Sequence, residues 1–205
     1  MNKKGLLIVI SGFSGAGKGT VVKQLIKKYN YSLSVSATTR EPREGEVDGR
    51  EYYFKTKEEF QNLIDYNGFI EWAQYVENYY GTPRAFVEEE MEKGHHVILE
   101  IEVQGALNIK NQYKDALLIF ITPPSAKELR NRLVGRGTED AQTVEKRMKQ
   151  AQKETKDMVN YDYIVVNDDL EECVQTVHGI IQCETCKLSN NKEFIEEITN
   201  QLNEQ

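Results

Sequence analysis

The residues with the most readable chemistry are Gly12-Phe13-Ser14-Gly15-Ala16-Gly17-Lys18-Gly19-Thr20. An apolar run, Leu6 to Ser11, leads into them, and Val21 to Tyr29 follows with helical character. A strand, a glycine-rich turn ending in lysine, and a helix together form a phosphate-binding arrangement. The glycines allow backbone N–H groups to converge on an anion without side chains in the way. The helix contributes the positive end of its dipole, and Lys18 can reach the outer phosphates. One position departs from the usual pattern. Gly19 stands where serine or threonine normally helps to hold Mg2+, and the hydroxyl comes one residue later, at Thr20. A metal contact from this loop is therefore absent, left to water, or shifted to Thr20.

A second group of residues suits an anionic acceptor. Ser34-Val35-Ser36-Ala37-Thr38-Thr39-Arg40-Glu41-Pro42-Arg43 sets two arginines three residues apart beside several hydroxyls. Arginine forks match phosphate oxygens. Tyr52 and Tyr53 follow, then Glu71, then Tyr80 and Thr82 in Asn78-Tyr79-Tyr80-Gly81-Thr82-Pro83. A carboxylate with hydroxyls suits guanine, whose N1–H and amino group donate and whose O6 accepts. The competing reading pairs Arg40 and Arg43 with Glu41 and Glu44 on the surface and sends the aromatics to the core.

The elements that must position these groups alternate. Leu6–Ile10, His96–Glu100, Ala116–Ile121 and Tyr163–Val166 read as strands with helical segments between them, an α/β pattern with a parallel sheet covered on both faces. Such sheets bind ligands at the carboxyl ends of their strands. Two segments break the alternation. Residues 32–82, with a short helix from Lys57 to Asn67 and turn chemistry at Gly45–Gly49, read as a partly β insertion. Ser125 to Glu154 reads as a charged helical hairpin broken at Gly135-Arg136-Gly137-Thr138, with Ser125 and Glu128 as a capping box, and suits a mobile lid.

The chain has 205 residues and a net charge of −7, which argues against a nucleic-acid surface and leaves room for small anions held by local arginines. No apolar run spans a bilayer, and the run after Met1–Gly5 is too short for a signal segment; a cytoplasmic location is expected. Cys173, Cys183 and Cys186 are too few for a disulfide framework. The Cys183-x-x-Cys186 spacing near His178 admits a metal site, but reduced thiols are the better reading. In the polar tail after Cys186, the positions Phe194, Ile195, Ile198 and Leu202 form a weak helical stripe that can dock or fray.

Taken together, the blocks resemble guanylate kinase from Gly5 to about Val177. The resemblance rests on Gly12–Thr20, Ser34–Arg43, Gly45–Gly49, Phe69–Ala73, Asn78–Thr82, Leu99–Gly105, Arg132 with Arg136-Gly137-Thr138 and Arg147, and Val166–Asp169. It implies a P-loop three-layer core with a parallel sheet (1–34, 83–124 and 155–205), an inserted GMP-binding subdomain (35–82) and a helical lid (125–154). It implies transfer of the γ-phosphoryl group of ATP to GMP, and to dGMP, with Mg2+ accompanying ATP. By the same resemblance, Gly12, Ser14, Gly15, Ala16, Gly17, Lys18, Gly19 and Thr20 cradle the ATP phosphates, and Asn167 and Asp168 approach adenine. Arg40, Arg43, Tyr52 and Tyr80 hold the GMP phosphate, and Ser36, Glu71 and Thr82 read guanine. Lys18, Arg132, Arg136 and Arg147 are the catalytic cations.

By the same resemblance Glu100 sits where a metal-side carboxylate belongs and, with Glu102, counts among the GMP-binding residues; Glu102 matches an acidic residue near the guanine amino group. The family usually has aspartate at the position of Glu102, so the extra methylene displaces this carboxylate by about one bond length. Two other readings remain: a non-catalytic guanylate-kinase-like binding module, and a nucleoside monophosphate kinase with another acceptor. The intact Lys18 and lid arginines weigh against the first, and Glu71 with Ser36 and Thr82 against the second. Oligomeric state is open at this level.

Overall fold

The computed structural model describes residues 4–75, 77–135 and 141–204. In chain order the strands and helices begin with β1 (Leu7–Gly12), α1 (Lys18–Lys28), β2 (Ser32–Leu33) and β3 (Ala37–Thr38). β4 (Tyr53–Phe54), α2 (Lys57–Asp65), β5 (Phe69–Tyr75), β6 (Asn78–Pro83) and α3 (Arg84–Glu92) follow. Next come β7 (Val97–Glu100), α4 (Val103–Gln112), β8 (Leu117–Thr122), α5 (Ala126–Gly135) and α6 (Ala141–Glu154). The chain closes with β9 (Tyr163–Val166), α7 (Leu170–Thr185) and α8 (Lys192–Asn203).

The main sheet has the order β2-β7-β1-β8-β9, and every pairing in it is parallel. Its central strands read as continuous apolar runs because helices cover both faces. All six residues of β1 are buried. On one face Val21, Val22 and Leu25 of α1, Val174, Val177 and Ile181 of α7, and Leu129 and Leu133 of α5 pack against the sheet. On the other, Val87 and Met91 of α3 meet Ala106 and Ile109 of α4. The four expected strands all form: Tyr163–Val166 with the expected bounds, the others with ends shifted by one or two residues.

A second sheet, β4-β3-β6-β5, joins antiparallel and parallel pairings. Ala37, Phe60 and Phe69 form its own small core. Helix α2 is fastened by a full capping box: the Thr56 side chain accepts from the Glu59 backbone, and the Glu59 carboxylate accepts from the Thr56 backbone.

Three local expectations need correction. Helix α1 starts at Lys18 rather than Val21, because left-handed Gly17 (φ 91°) turns the chain and its carbonyl accepts from both Thr20 and Val21. Ser125 does accept from the Glu128 backbone, but the Glu128 carboxylate turns to Arg132 and Asn131, so the box there is half made. Arg40 pairs with Glu46, not with its neighbouring glutamates' carboxylates. The break expected at 135–138 falls largely on residues 136–140, outside the described residues, and Arg136 lies among them.

Candidate active site

The phosphate loop leaves the carboxyl end of β1 at Gly12. A Cβ there would stand 2.0 Å from the Ile121 carbonyl oxygen of β8, so only glycine lets the chain turn this close to the neighbouring strand. Gly17 is constrained from the other side. A Cβ on it would meet the Asn167 amide nitrogen at 2.5 Å, and that same nitrogen donates to the Ala16 carbonyl at 2.8 Å. Buried Asn167, directly after β9, thus props the loop from beneath, a support that sequence reading alone did not find. The Lys18 ammonium folds over the loop and donates to the carbonyls of Gly12 (2.7 Å) and Phe13 (3.3 Å).

Two of the expected lid arginines reach this loop region. Arg147 on α6 donates to the Ser14 hydroxyl at 2.6 Å. Arg132 on α5 is held by Glu128 at 2.8 Å and donates to the Asn167 carbonyl at 2.9 Å. Arg130 and Glu145 pair across α5 and α6, which keeps the two helices together.

Glu100 ends β7 beside the loop. Its carboxylate oxygens lie 3.4 and 3.6 Å from the point a Cβ on Gly19 would occupy, so a carboxylate stands against the residue that elsewhere carries the hydroxyl. By surface area the residue is exposed, although neighbouring protein crowds its carboxylate. That enclosure pushes its carboxyl above the ordinary range, with Lys18 working in the opposite direction. Glu102 is exposed at the N-cap of α4 and makes no capping bond, and Thr20 is exposed on the first turn of α1.

The second sheet presents its own cations and carboxylate. The Arg40 guanidinium is gripped by both Glu46 oxygens, at 3.0 and 2.9 Å, and lies over the Tyr52 ring at 5.3 Å. Glu46 also accepts from the Arg43 backbone at 2.8 Å, which makes it the post around which the Arg40–Arg43 turn is built. The Arg43 side chain is exposed. Tyr52 and Tyr80 meet edge to face at 6.0 Å. Burial, then the negative charge of Glu100, pushes the hydroxyl of Tyr52, just before β4, up to about 12. Ser36 is half-buried, and its carbonyl accepts from Tyr53.

Glu71 and Thr82 stand opposite each other on β5 and β6. Both are buried, and the Thr82 hydroxyl donates to a Glu71 oxygen at 2.8 Å. Burial raises the Glu71 carboxyl to about 7, and the Thr82 bond only partly offsets this. Its other oxygen lies 2.8 Å from where a Cβ on Gly105 would be. Gly105 therefore makes the seat for this carboxylate on α4. A glycine two residues into a helix is the sequence signal that could have revealed it. Replacing Gly105 by alanine is expected to displace Glu71, because the added Cβ would stand 2.8 Å from its carboxylate oxygen; a crystal structure of the variant checks this.

A cavity of about 220 Å3 behind β5, lined by Asn67, Trp72, Arg84 and Asn108, includes Glu71 but no phosphate-loop residue. The Arg84 guanidinium there is committed to Asn67, Phe69, Glu88 and Tyr113, so the cavity is part of the seam between the sheets rather than the cleft just described. Cys173 is buried, while Cys183 and Cys186 are exposed. No helix among the described residues is long and apolar enough to cross a membrane.

Comparison with known proteins agrees with this geometry. The guanylate kinase family model matches residues 4–184. A guanylate kinase of Caldanaerobacter subterraneus subsp. tengcongensis is 49% identical over 195 residues, covering 95% of each chain. One from Clostridium tetani is 50% identical, covering 94% of this chain and 93% of that one. The crystal structure of guanylate kinase from Anaplasma phagocytophilum superposes with a TM-score of 0.77 at 35% identity, covering 91% of this chain and 89% of that chain. A phosphate loop braced by Asn167, with Arg147 of α6 on its Ser14 hydroxyl and Arg132 of α5 on the Asn167 carbonyl, and a buried carboxylate on a separate sheet are thus features of a chain that belongs to the guanylate kinase family.

Proposed function

We propose that this chain transfers the γ-phosphoryl group of ATP to GMP, and to dGMP, giving ADP and the nucleoside diphosphate. The observation that carries the acceptor assignment is the Glu71–Thr82 pair, a buried carboxylate and hydroxyl seated on Gly105 and matched to the donors of guanine. Family membership supports the reaction.

The roles divide between the two sheets. Gly12 to Thr20 cradle the ATP phosphates, with backbone N–H groups as donors and Lys18 on the outer phosphates. Asn167 holds the loop in shape and, with Asp168, borders the adenine. Arg40, Arg43, Tyr52 and Tyr80 take the GMP phosphate, and Ser36, Glu71, Thr82 and Glu102 take the base. Arg132 and Arg147, with Arg136, neutralise charge that builds on the transferred group. No residue acts as a covalent nucleophile: an in-line transfer needs positioning and charge neutralisation, and the acceptor phosphate is already ionised. Residues 35–82 act as the acceptor subdomain, 125–154 as the lid, and the rest as the core. Closure of both over the cleft excludes water, which would otherwise accept the phosphoryl group.

The donors present suit a hydrated Mg2+ ion accompanying ATP. Glu100 supplies a hard oxygen against Gly19, and exposed Thr20 follows with a hydroxyl in the first turn of α1. When bound, such an ion draws charge from the phosphate oxygens. A cytoplasmic location belongs to the same reading, as does the absence of a nucleic-acid partner, which the net charge of −7 supports.

The test is ADP release from ATP with Mg2+ and GMP, dGMP, AMP or UMP as acceptor. Turnover with GMP and dGMP and near-background rates with AMP and UMP are expected. Comparable use of AMP would keep the kinase and remove the base-reading role of Glu71. An ATP-binding protein with no turnover on any acceptor would be the non-catalytic binding module.

A further inference from the structure

Arg132 is held at two points. Its Nε donates to Glu128 Oε1 at 2.8 Å, one helical turn back on α5. Its Nη1 donates to the Asn167 carbonyl at 2.9 Å. Asn167 is itself tied down twice. Its backbone N–H donates to the Thr122 carbonyl at the end of β8 (2.7 Å), and its buried side chain donates to the Ala16 carbonyl at 2.8 Å. One residue thus carries both the phosphate loop and one edge of the guanidinium, and Glu128 carries the other edge.

A guanidinium offers five N–H groups in a rigid planar fork. Two are used here, and among the described residues no bond engages Nη2. A single hydrogen bond would let the fork swing about it. Two bonds, to acceptors on different elements, set its plane and leave Nη2 and the second Nη1 proton for a further acceptor.

The Glu128–Arg132 pair adds little to stability. Its side chains keep 36% and 25% of their exposure, and an i,i+4 ion pair this open contributes little to a helix. Nor does the lid depend on it for cohesion, since Arg130 ties α5 to α6 through Glu145. The Arg132 bond, then that of Asn131, holds the Glu128 carboxyl below its ordinary range, which keeps it an ionised acceptor at neutral pH.

We propose that Glu128 is a positioning residue for phosphoryl transfer: with the Asn167 carbonyl, its carboxylate sets the Arg132 fork beside the phosphate loop, so that the arginine meets the transferred group already oriented. This rests on the kinase reading above, in which Arg132 neutralises charge on that group. A cation oriented in advance costs no reorganisation when the charge develops.

A double-mutant cycle read at saturating ATP and GMP tests the proposal. Arg132→Ala is expected to lower kcat at least about 100-fold, as for a cation on a transferring phosphoryl group. Glu128→Ala should lower kcat about 10-fold with both KM values within about twofold, the pattern of a misaimed group and not of lost binding. Glu128→Gln, which keeps an oxygen for Nε, should restore kcat to within about threefold of the parent. Both Glu128 variants keep the helix cap, because Ser125 accepts from the Glu128 backbone N–H, and both should melt within about 2 °C of the parent. In the Arg132→Ala background, Glu128→Ala should cost less than about twofold, since nothing is left for it to aim. An undiminished Arg132 effect with a Glu128→Ala enzyme as fast as the parent, or faster, overturns the positioning role and leaves the kinase reading intact. Equal losses from Glu128→Ala in both backgrounds overturn it as well, by showing that the carboxylate acts apart from the arginine. An Arg132→Ala enzyme with the parent's kcat fails the reading of Arg132 itself, and the positioning role falls with it.

Discussion

Replacing Lys18 by alanine is expected to lower kcat about 1,000-fold and to leave the affinity for GMP within about twofold, the signature of a group that acts on the transferred phosphoryl group and not on the acceptor. The Lys18 ammonium lies over the loop carbonyls of Gly12 and Phe13, while the acceptor residues Arg40, Tyr52, Glu71 and Thr82 all belong to the other sheet or its connections. Removing the ammonium frees the Gly12 and Phe13 carbonyls but leaves the acceptor residues and their mutual bonds unchanged. Single-turnover kinetics together with calorimetric titration of GMP separates the two effects. Loss of GMP binding with turnover preserved would reverse the assignment of the two sheets.

Glu71→Gln carries the second large effect, on KM rather than kcat. An amide in place of the carboxylate turns one acceptor into a donor that faces the N–H groups of guanine, and a buried mismatch of this kind costs about 2–3 kcal/mol, near 100-fold in affinity. The same residue sets a pH dependence. Its carboxyl lies at about 7 because burial disfavours the charged form. On the proposed reading guanine binds the carboxylate form of Glu71, so the parent's KM for GMP should rise as pH falls below 7, approaching tenfold per unit. The glutamine variant should show this rise only weakly.

Stability moves in the opposite sense. A carboxyl raised above its unfolded value contributes stability that is complete below about pH 4.5 and is lost as pH rises through about 7. The free Glu71→Gln protein should therefore gain on its parent between pH 5 and pH 8 in denaturant midpoint. A parent KM that is flat from pH 5.5 to pH 8 would remove Glu71 from contact with the base.

Local pattern already carried much of the fold. The apolar runs that became β1, β7 and β8 stand out because a parallel strand covered on both faces is apolar at nearly every position, whereas β9, at the sheet edge, is apolar although only Val165 of it is buried. The small second sheet was legible only as a break in this alternation. Its strands β3 and β4 are two residues each, too short to show a period, and they exist through pairing with β6 and through Phe60 and Phe69 beneath them.

The site divides in the same way. The sequence alone determined the phosphate loop, its lysine, the strand before it and the helix after it, because loop chemistry depends on residues adjacent along the chain. It also indicated which arginines and acids were available, and the family to which their order belongs. What the tertiary structure decided is which of them are held, and by what. Glu46 rather than Glu41 or Glu44 grips Arg40, Asn167 braces Ala16 across 151 positions, and Gly105 clears the seat that keeps Glu71 buried with its carboxyl near neutrality. Burial and hydrogen bonding between residues distant in sequence set these features, and neither has a local period or spacing by which it could be read.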